Sequence, residues 1–221
     1  MSIATIVIGE SGTGKSTALR NLDPKETLLI QAIPKPLPFK ATKWTKFSKE
    51  NPTGNIFVRD DSDGITNIMR KTQRKIIILD DVQYIMANEF MRRSHEKGFD
   101  KFNEIAKSIW NILNVANELA DDVRVYMLWH SQIDDLGRSK VKTIGKLLDE
   151  KITIEGMVSI VLRTQILNGN YLFRTNNDGN DTTKSPLGMF ESEVIENDLK
   201  IVDDEICNFY DITKMENKNE S

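Results

Sequence analysis

The stretch Ile3-Ala4-Thr5-Ile6-Val7-Ile8-Gly9-Glu10-Ser11-Gly12-Thr13-Gly14-Lys15-Ser16-Thr17 decides how the rest of the chain is read. Its first six residues are an apolar, β-branched run, the pattern of a buried strand. The remainder fits G-x-x-x-x-G-K-[ST], the phosphate-binding loop or Walker A motif. Glycines let the backbone curl so that successive N–H groups face one anion. A helix expected to start near Lys15 adds its positive end. Lys15 can reach the β- and γ-phosphates of a nucleotide, and the Ser16 hydroxyl can take a Mg2+ coordination site. Gly9, Glu10, Ser11, Gly12, Thr13, Gly14, Lys15, Ser16 and Thr17 are therefore the candidate nucleotide-binding residues. The strand before the loop and the helix-compatible residues 17–21 after it supply the context that the motif needs.

A second stretch completes the first. Lys75-Ile76-Ile77-Ile78-Leu79-Asp80-Asp81 is an apolar run ending in acid, the Walker B pattern. A central strand would carry the carboxylate to the same sheet edge as the phosphate loop. There Asp80 can hold Mg2+, directly or through water, beside Ser16. Asp81 can polarise the attacking water, or it can cap the helix that follows. A further strand at 123–129, Val-Arg-Val-Tyr-Met-Leu-Trp, ends in His130-Ser131-Gln132. Open α/β sheets bind ligands at the C-terminal ends of their strands. His130 and Gln132 are thus candidates to sense a γ-phosphate; a structural histidine is the alternative for His130.

Composition bounds the rest. The 221 residues are 39% hydrophobic and 29% charged, a globular mix with enough chain for one core, so one domain is expected over 1–213. The net charge of -3 confines any nucleic-acid contact to a local basic patch. Cys207 stands alone, excluding an internal disulfide and suiting a reducing compartment. No apolar run nears the ~18 residues of a membrane span. The chain enters its first strand at once, so no secretory leader is expected and the location reads as cytoplasmic.

Between these motifs the chain reads in order. Asp23-Pro24 ends the first helix. Residues 27–33 read as a buried strand, followed by the loop Pro34-Lys35-Pro36-Leu37-Pro38, which cannot be a central strand. Residues 40–49 interleave Lys40, Lys43, Lys46 and Lys49 with Trp44 and Phe47, suiting either a base-stacking surface or a solvated face over a tucked tryptophan. Residues 56–58 read as a strand, and 65–71 and 82–97 as helices. Residues 102–119 place Ile105, Ile109, Ile112, Leu113, Ala116 and Leu119 on one helical face. Residues 134–151 have a basic centre, Arg138, Lys140, Lys142 and Lys146, a candidate site for a phosphodiester backbone or an ordinary solvated loop. Late strands are expected at 152–154, 158–166 and 170–175, with Asn168-Gly169 marking a hairpin. The polar tail 214–221 reads as disordered.

With the Walker pair, the His130-Ser131-Gln132 strand end and the hairpin before Thr183-Lys184-Ser185 in view, the chain resembles RecA-type ATPases. More narrowly, it is similar to the small RecA-like ATPases that bacteriophages encode near recombination and single-strand-binding genes. The likeness covers roughly residues 1–205. It implies an α/β P-loop NTPase fold: a RecA-like core with a mostly parallel sheet flanked by helices and an antiparallel C-terminal hairpin. It implies ATP and Mg2+ as cofactors, with ATP held between subunits of a homo-oligomer, ring or filament. Gln132 matches the residue that couples the γ-phosphate to DNA-binding loops, and residues 134–145 match the first such loop. Lys184, with Arg174 behind it, matches basic residues that reach a neighbour's ATP. One departure is plain: recombinases of this type carry a catalytic Glu after the second strand, where this chain has Gln31-Ala32-Ile33. Either Asp81 is the base or hydrolysis is slow.

The expected function is ATP hydrolysis coupled to single-stranded DNA in phage recombination, annealing or replication, with a single-strand-binding protein or helicase as a further partner. Lys15, Asp81, Gln132, His130 and Lys184 carry the chemistry in this reading. Two rivals stand beside it. One is a small-molecule P-loop kinase with Arg138-Ser139-Lys140 as its lid. The other is a nucleotide-switched adaptor such as a helicase loader.

Overall fold

A computed structural model describes residues 1–213; the polar tail lies outside the described residues. Among the described residues nine strands form one sheet: β1 (Ile3–Gly9), β2 (Thr27–Gln31), β3 (Ile56–Val58), β4 (Ile76–Asp80), β5 (Arg124–Ile133), β6 (Ser139–Val141), β7 (Ile160–Leu167), β8 (Asn170–Arg174) and β9 (Val194–Glu196). The order is β3-β2-β4-β5-β1-β7-β8-β9, with β6 added to β5. β3 through β7 pair in parallel. β8 and β9 then run antiparallel, as the Asn168-Gly169 signal predicts. Asn168 and Gly169 have φ of 52° and 79°, the positive pair that a type I′ hairpin turn requires. The protein is thus a mixed α/β fold with a mostly parallel central sheet, helices on both faces and an antiparallel edge.

The central strands are apolar throughout because both faces are covered. Alternate residues go to opposite sides. Ile6, Ile8, Leu79, Met127 and Trp129 join one core layer with α1 (Ser62–Lys71), α2 (Gln83–Arg92) and α3 (Asp100–Glu118). Val7, Ile78, Tyr126, Leu128 and Leu162 join the other with α4 (Leu199–Phe209). Each large apolar side chain so buried contributes about 1.5–3 kcal/mol. α3 buries the five residues Ile105 to Ala116 that its periodicity marks. Among the described residues no helix is long and apolar enough to cross a membrane.

Several expectations change. The segment after the phosphate loop is only a 3-10 turn, Ser16–Leu19, because the chain must turn at Asp23-Pro24 to enter β2. Four residues align few peptide dipoles, so little helix-end charge reaches the loop. Residues 152–154 are not a strand: a π-turn, Leu147–Lys151, and a 3-10 turn, Ile154–Met157, occupy that region. The loop expected at 134–151 is partly ordered as β6, antiparallel to β5. The lysine-aromatic segment is a cover over the sheet edge. Trp44 is buried in the second core layer, and Phe47 stacks on Phe57 at 4.4 Å. Trp44 is therefore packed rather than free to stack on a base. β9 and α4 add to the elements that the sequence pattern marks. Cys207 is buried on α4, where burial pushes its thiol up to about 11, as befits a small core residue.

Candidate nucleotide site

The site sits at the C-terminal ends of β1, β4 and β5. Gly9 ends β1 where Thr164 of β7 passes behind it; an added Cβ would lie 1.8 Å from Thr164 Oγ1. The same hydroxyl is 2.6 Å from Thr13 Oγ1, tying the loop to β7. Gly12 and Gly14 take φ of 80° and 95°, a region closed to most side chains. Lys15 is folded back over the loop, donating from Nζ to Gly9 O at 2.8 Å and Glu10 O at 2.7 Å.

β5 lies between β1 and β4, yet the two Walker segments meet. Ser16 Oγ donates to Asp80 Oδ1 at 3.0 Å. Asp80 is buried, and its Oδ2 makes no hydrogen bond; it faces Lys35 Nζ at 3.6 Å. Burial raises the Asp80 pKa, offset in part by Lys35. A buried carboxylate whose Oδ2 makes no hydrogen bond, next to a hydroxyl, suits a small hard cation. Among the described residues no group of three His, Cys, Asp or Glu side chains could hold a metal. Mg2+ commonly needs only one or two protein ligands when phosphates supply the rest. Ser16 and Asp80 fit that pattern.

Asp81 does something else. Its φ is 63°, a left-handed conformation that Asp tolerates better than most residues. The N-cap of α2 is Val82, with no side-chain cap, so the capping reading of Asp81 is not observed. Its carboxylate instead pairs with Lys35 Nζ and lies 3.3 Å from His130 Nε2. Burial acts to raise its pKa, but His130 and Lys35 prevail and hold it down at about 2. Such a carboxylate can orient a water but is a weak proton acceptor.

A cavity of about 530 Å³ is lined by the phosphate loop, Lys35, Pro36, Pro38, Asp81, His130 and Tyr171. Of the two strand-end candidates, His130 is in this lining and Gln132 is not. Gln132 Nε2 donates to Asp149 Oδ1 at 3.0 Å, which also accepts from Lys140 Nζ at 2.6 Å. Arg138 pairs with Asp134 at 2.9 Å and Lys146 with Glu150 at 3.7 Å, while Lys142 is exposed. Three of the four basic residues are thus matched by acids just outside the stretch that looked purely basic. Lys184 is bridged through its backbone to Val161, and Arg174 pairs with Asp178 at 3.4 Å. Neither lines the cavity of its own chain. Lys35 and Tyr171 were missed from the sequence. Lys35 was readable only with the β2–β4 register, which sets Gln31 beside Asp80.

The charge state of Lys15 gives a direct expectation. Burial lowers its pKa to about 8, against the pull of Asp81 and Asp80. Above that pH the free protein presents a neutral amine, while the phosphates of a bound nucleotide favour the ammonium. Affinity for a phosphate-bearing ligand is therefore expected to weaken as pH rises from 8 towards 10, by up to about tenfold per unit. A fluorescent-nucleotide titration across that range measures it; a flat profile would contradict the coupling.

No protein-family model matches this sequence, and no curated protein matches it. Among solved structures, the chain is similar to one described as a DnaB-like replicative helicase and its interactions with primase. The identity is 15% and the TM-score 0.44, over 78% of this chain and 51% of that one. This chain thus spans about half the length of that structure. The fold rests on the strand order and loop geometry above.

Proposed function

We propose that this protein is a Mg2+-dependent ATPase of RecA-like type whose turnover responds to single-stranded DNA in phage recombination, annealing or replication. The contact of Ser16 Oγ with Asp80 Oδ1 at 3.0 Å, under a phosphate loop and beside a carboxylate oxygen that makes no hydrogen bond, carries the ATP–Mg2+ part. The phosphate-loop backbone and Lys15 bind the phosphates. Ser16 and Asp80 would hold Mg2+, which would supply charge neutralisation at the phosphoryl oxygens. Asp81, held by His130, orients the water.

The DNA part rests on β5. His130 and Gln132 are two residues apart, so they share one face of the strand, about 7 Å apart along it. His130 touches Asp81 in the cavity, and Gln132 shares Asp149 with Lys140. One strand therefore links the cavity to the hairpin carrying Arg138, Lys140 and Lys142, with Lys146 beyond it. Its exposed ion pairs are each worth only about 0–1 kcal/mol, so exchanging acids for phosphodiesters is cheap. A homo-oligomer, ring or filament, would let Lys184 serve a neighbour's ATP.

Turnover of the purified protein with and without single-stranded DNA tests this. Several-fold stimulation is expected at low salt, fading as salt rises. Indifference to DNA at every salt concentration would sink the DNA coupling. It would favour a second reading, a nucleotide-switched adaptor such as a helicase loader. The doubly paired Asp81 and the amide at Gln31 support that reading, since both suit slow hydrolysis. The kinase reading gains nothing: Arg138, Ser139 and Lys140 are tied into the β5–β6 hairpin and line no part of the cavity.

A further inference from the structure

The proline-punctuated loop after β2 carries a charge that the reading above does not use. Lys35 Nζ contacts Asp81 Oδ2 and stands 3.6 Å from Asp80 Oδ2. One ammonium thus bridges the two carboxylates at the end of β4, beside the Ser16 hydroxyl, where a divalent cation would bind. Pro36 and Pro38 line the same cavity as the phosphate loop. The backbone of this loop is fixed. Pro34 and Pro36 flank Lys35 and restrict the chain on both sides. Gln31 Nε2 donates to Lys35 O at 3.1 Å from the buried end of β2. The side chain is not fixed in the same way: it is 36% exposed and ends a flexible four-carbon stem.

We propose that Lys35 is a second phosphate-binding lysine of this site, able to turn from Asp80 and Asp81 to the terminal phosphate of a Mg2+–triphosphate. This rests on the nucleotide-binding reading above. The electrostatics support the exchange. Lys35 contacts both carboxylates, and Lys15 feels their charge from its place on the loop carbonyls. Lys35, 3.6 Å from Asp80 Oδ2, would be repelled by a divalent cation on that carboxylate and would yield the oxygen to it. A terminal phosphate next to that cation offers the lysine an anion at the same depth. A diphosphate leaves that place empty, and Lys35 then keeps Asp81. The residue therefore discriminates triphosphate from diphosphate. Gln31 is its positioning residue: this chain has an amide at the end of β2, and that amide holds the backbone carrying a cation.

Fluorescently labelled ATP and ADP, titrated with Mg2+ present into the unsubstituted protein, Lys35→Met and Lys35→Arg, provide the test. Lys35→Met is expected to weaken labelled ATP about tenfold or more, the worth of one charge-assisted hydrogen bond. Labelled ADP should stay within about twofold, since only the terminal phosphate meets this lysine. Lys35→Arg should keep most of the ATP preference. Equal weakening of both nucleotides, or none in either, overturns the assignment of Lys35 while leaving the nucleotide site standing. Failure of the unsubstituted protein to bind either nucleotide overturns the site reading and the assignment together.

Discussion

Replacing Asp80 by Asn should lower the proposed ATP turnover by about 10²-fold or more while leaving the free protein at least as stable to heat as the unsubstituted one. The first half follows from the metal. Asp80 is the carboxylate beside Ser16, and losing its charge would weaken the proposed Mg2+, whose stabilisation of phosphoryl charge would be worth several kcal/mol; each 1.36 kcal/mol is tenfold in rate. The second half follows from burial. Asp80 is almost fully buried, its Oδ2 lacks a hydrogen bond, and its pKa is raised by burial despite Lys35. A carboxyl whose folded pKa lies above its unfolded value favours folding when protonated. That contribution is present below the unfolded value of 3.8 and lost as pH rises through the folded one. At neutral pH the charged group is therefore a burden on the fold. Asparagine keeps the shape, removes the charge and still accepts the Ser16 hydroxyl. Paired measurements decide it: turnover against Mg2+ concentration, and thermal unfolding without nucleotide. Turnover within about threefold of normal would remove Asp80 from the metal site. A large fall in melting temperature would make it a structural residue.

The parts of this site visible in the sequence are those with local signals. The phosphate loop announces itself by glycine spacing and Lys15. β4 does so by a β-branched run ending at Asp80, and α3 by its periodicity. Asn168-Gly169 gives the hairpin because two positive φ values in a row demand those residue types. What stayed hidden depended on distance in space. Lys35 reaches Asp81 only because β2 pairs with β4, a register that no local pattern reports. The stretch 137–148 looked purely basic because its acids, Asp134, Asp149 and Glu150, lie just beyond its ends. The 3-10 turn after Lys15 shows a motif specifying its loop without specifying the length of the helix that follows. Only α4 was within reach of pattern reading. Leu199, Val202, Ile206 and Cys207 are buried at helical spacing behind Asp198, whose side chain accepts from Lys200 N.

That helix carries the largest expected stability effect. Asp203 on α4 accepts Arg124 Nε at 2.9 Å, Arg124 Nη2 at 3.0 Å and the Tyr126 hydroxyl at 2.7 Å. Arg124 also donates to Asp122 O at 2.7 Å. All three side chains are buried, and the network joins the start of β5 to the only helix on its face of the sheet among the described residues. Burial works against the Arg124 charge, but Asp203 holds its pKa well above the ordinary arginine value. A buried ion pair of this kind adds little over an apolar replacement, because desolvation offsets the Coulomb gain. Removing one partner is different, since it strands a charge where water cannot reach it. Asp203→Ala is therefore expected to destabilise the fold by about 3–5 kcal/mol, a large part of a typical 5–15 kcal/mol total. For a chain of this size that lowers the melting temperature by on the order of 10 °C. Combining Arg124→Met, Tyr126→Phe and Asp203→Leu removes the charges and the hydroxyl together and should restore most of the loss. Thermal and urea unfolding of the two variants measure both effects. If the triple variant is no more stable than Asp203→Ala, the network contributes geometry that apolar packing cannot replace, and the desolvation account fails. If Asp203→Ala is nearly neutral, the pair is not shielded from water, and α4 is held chiefly by its apolar face, Leu199, Val202, Ile206 and Cys207.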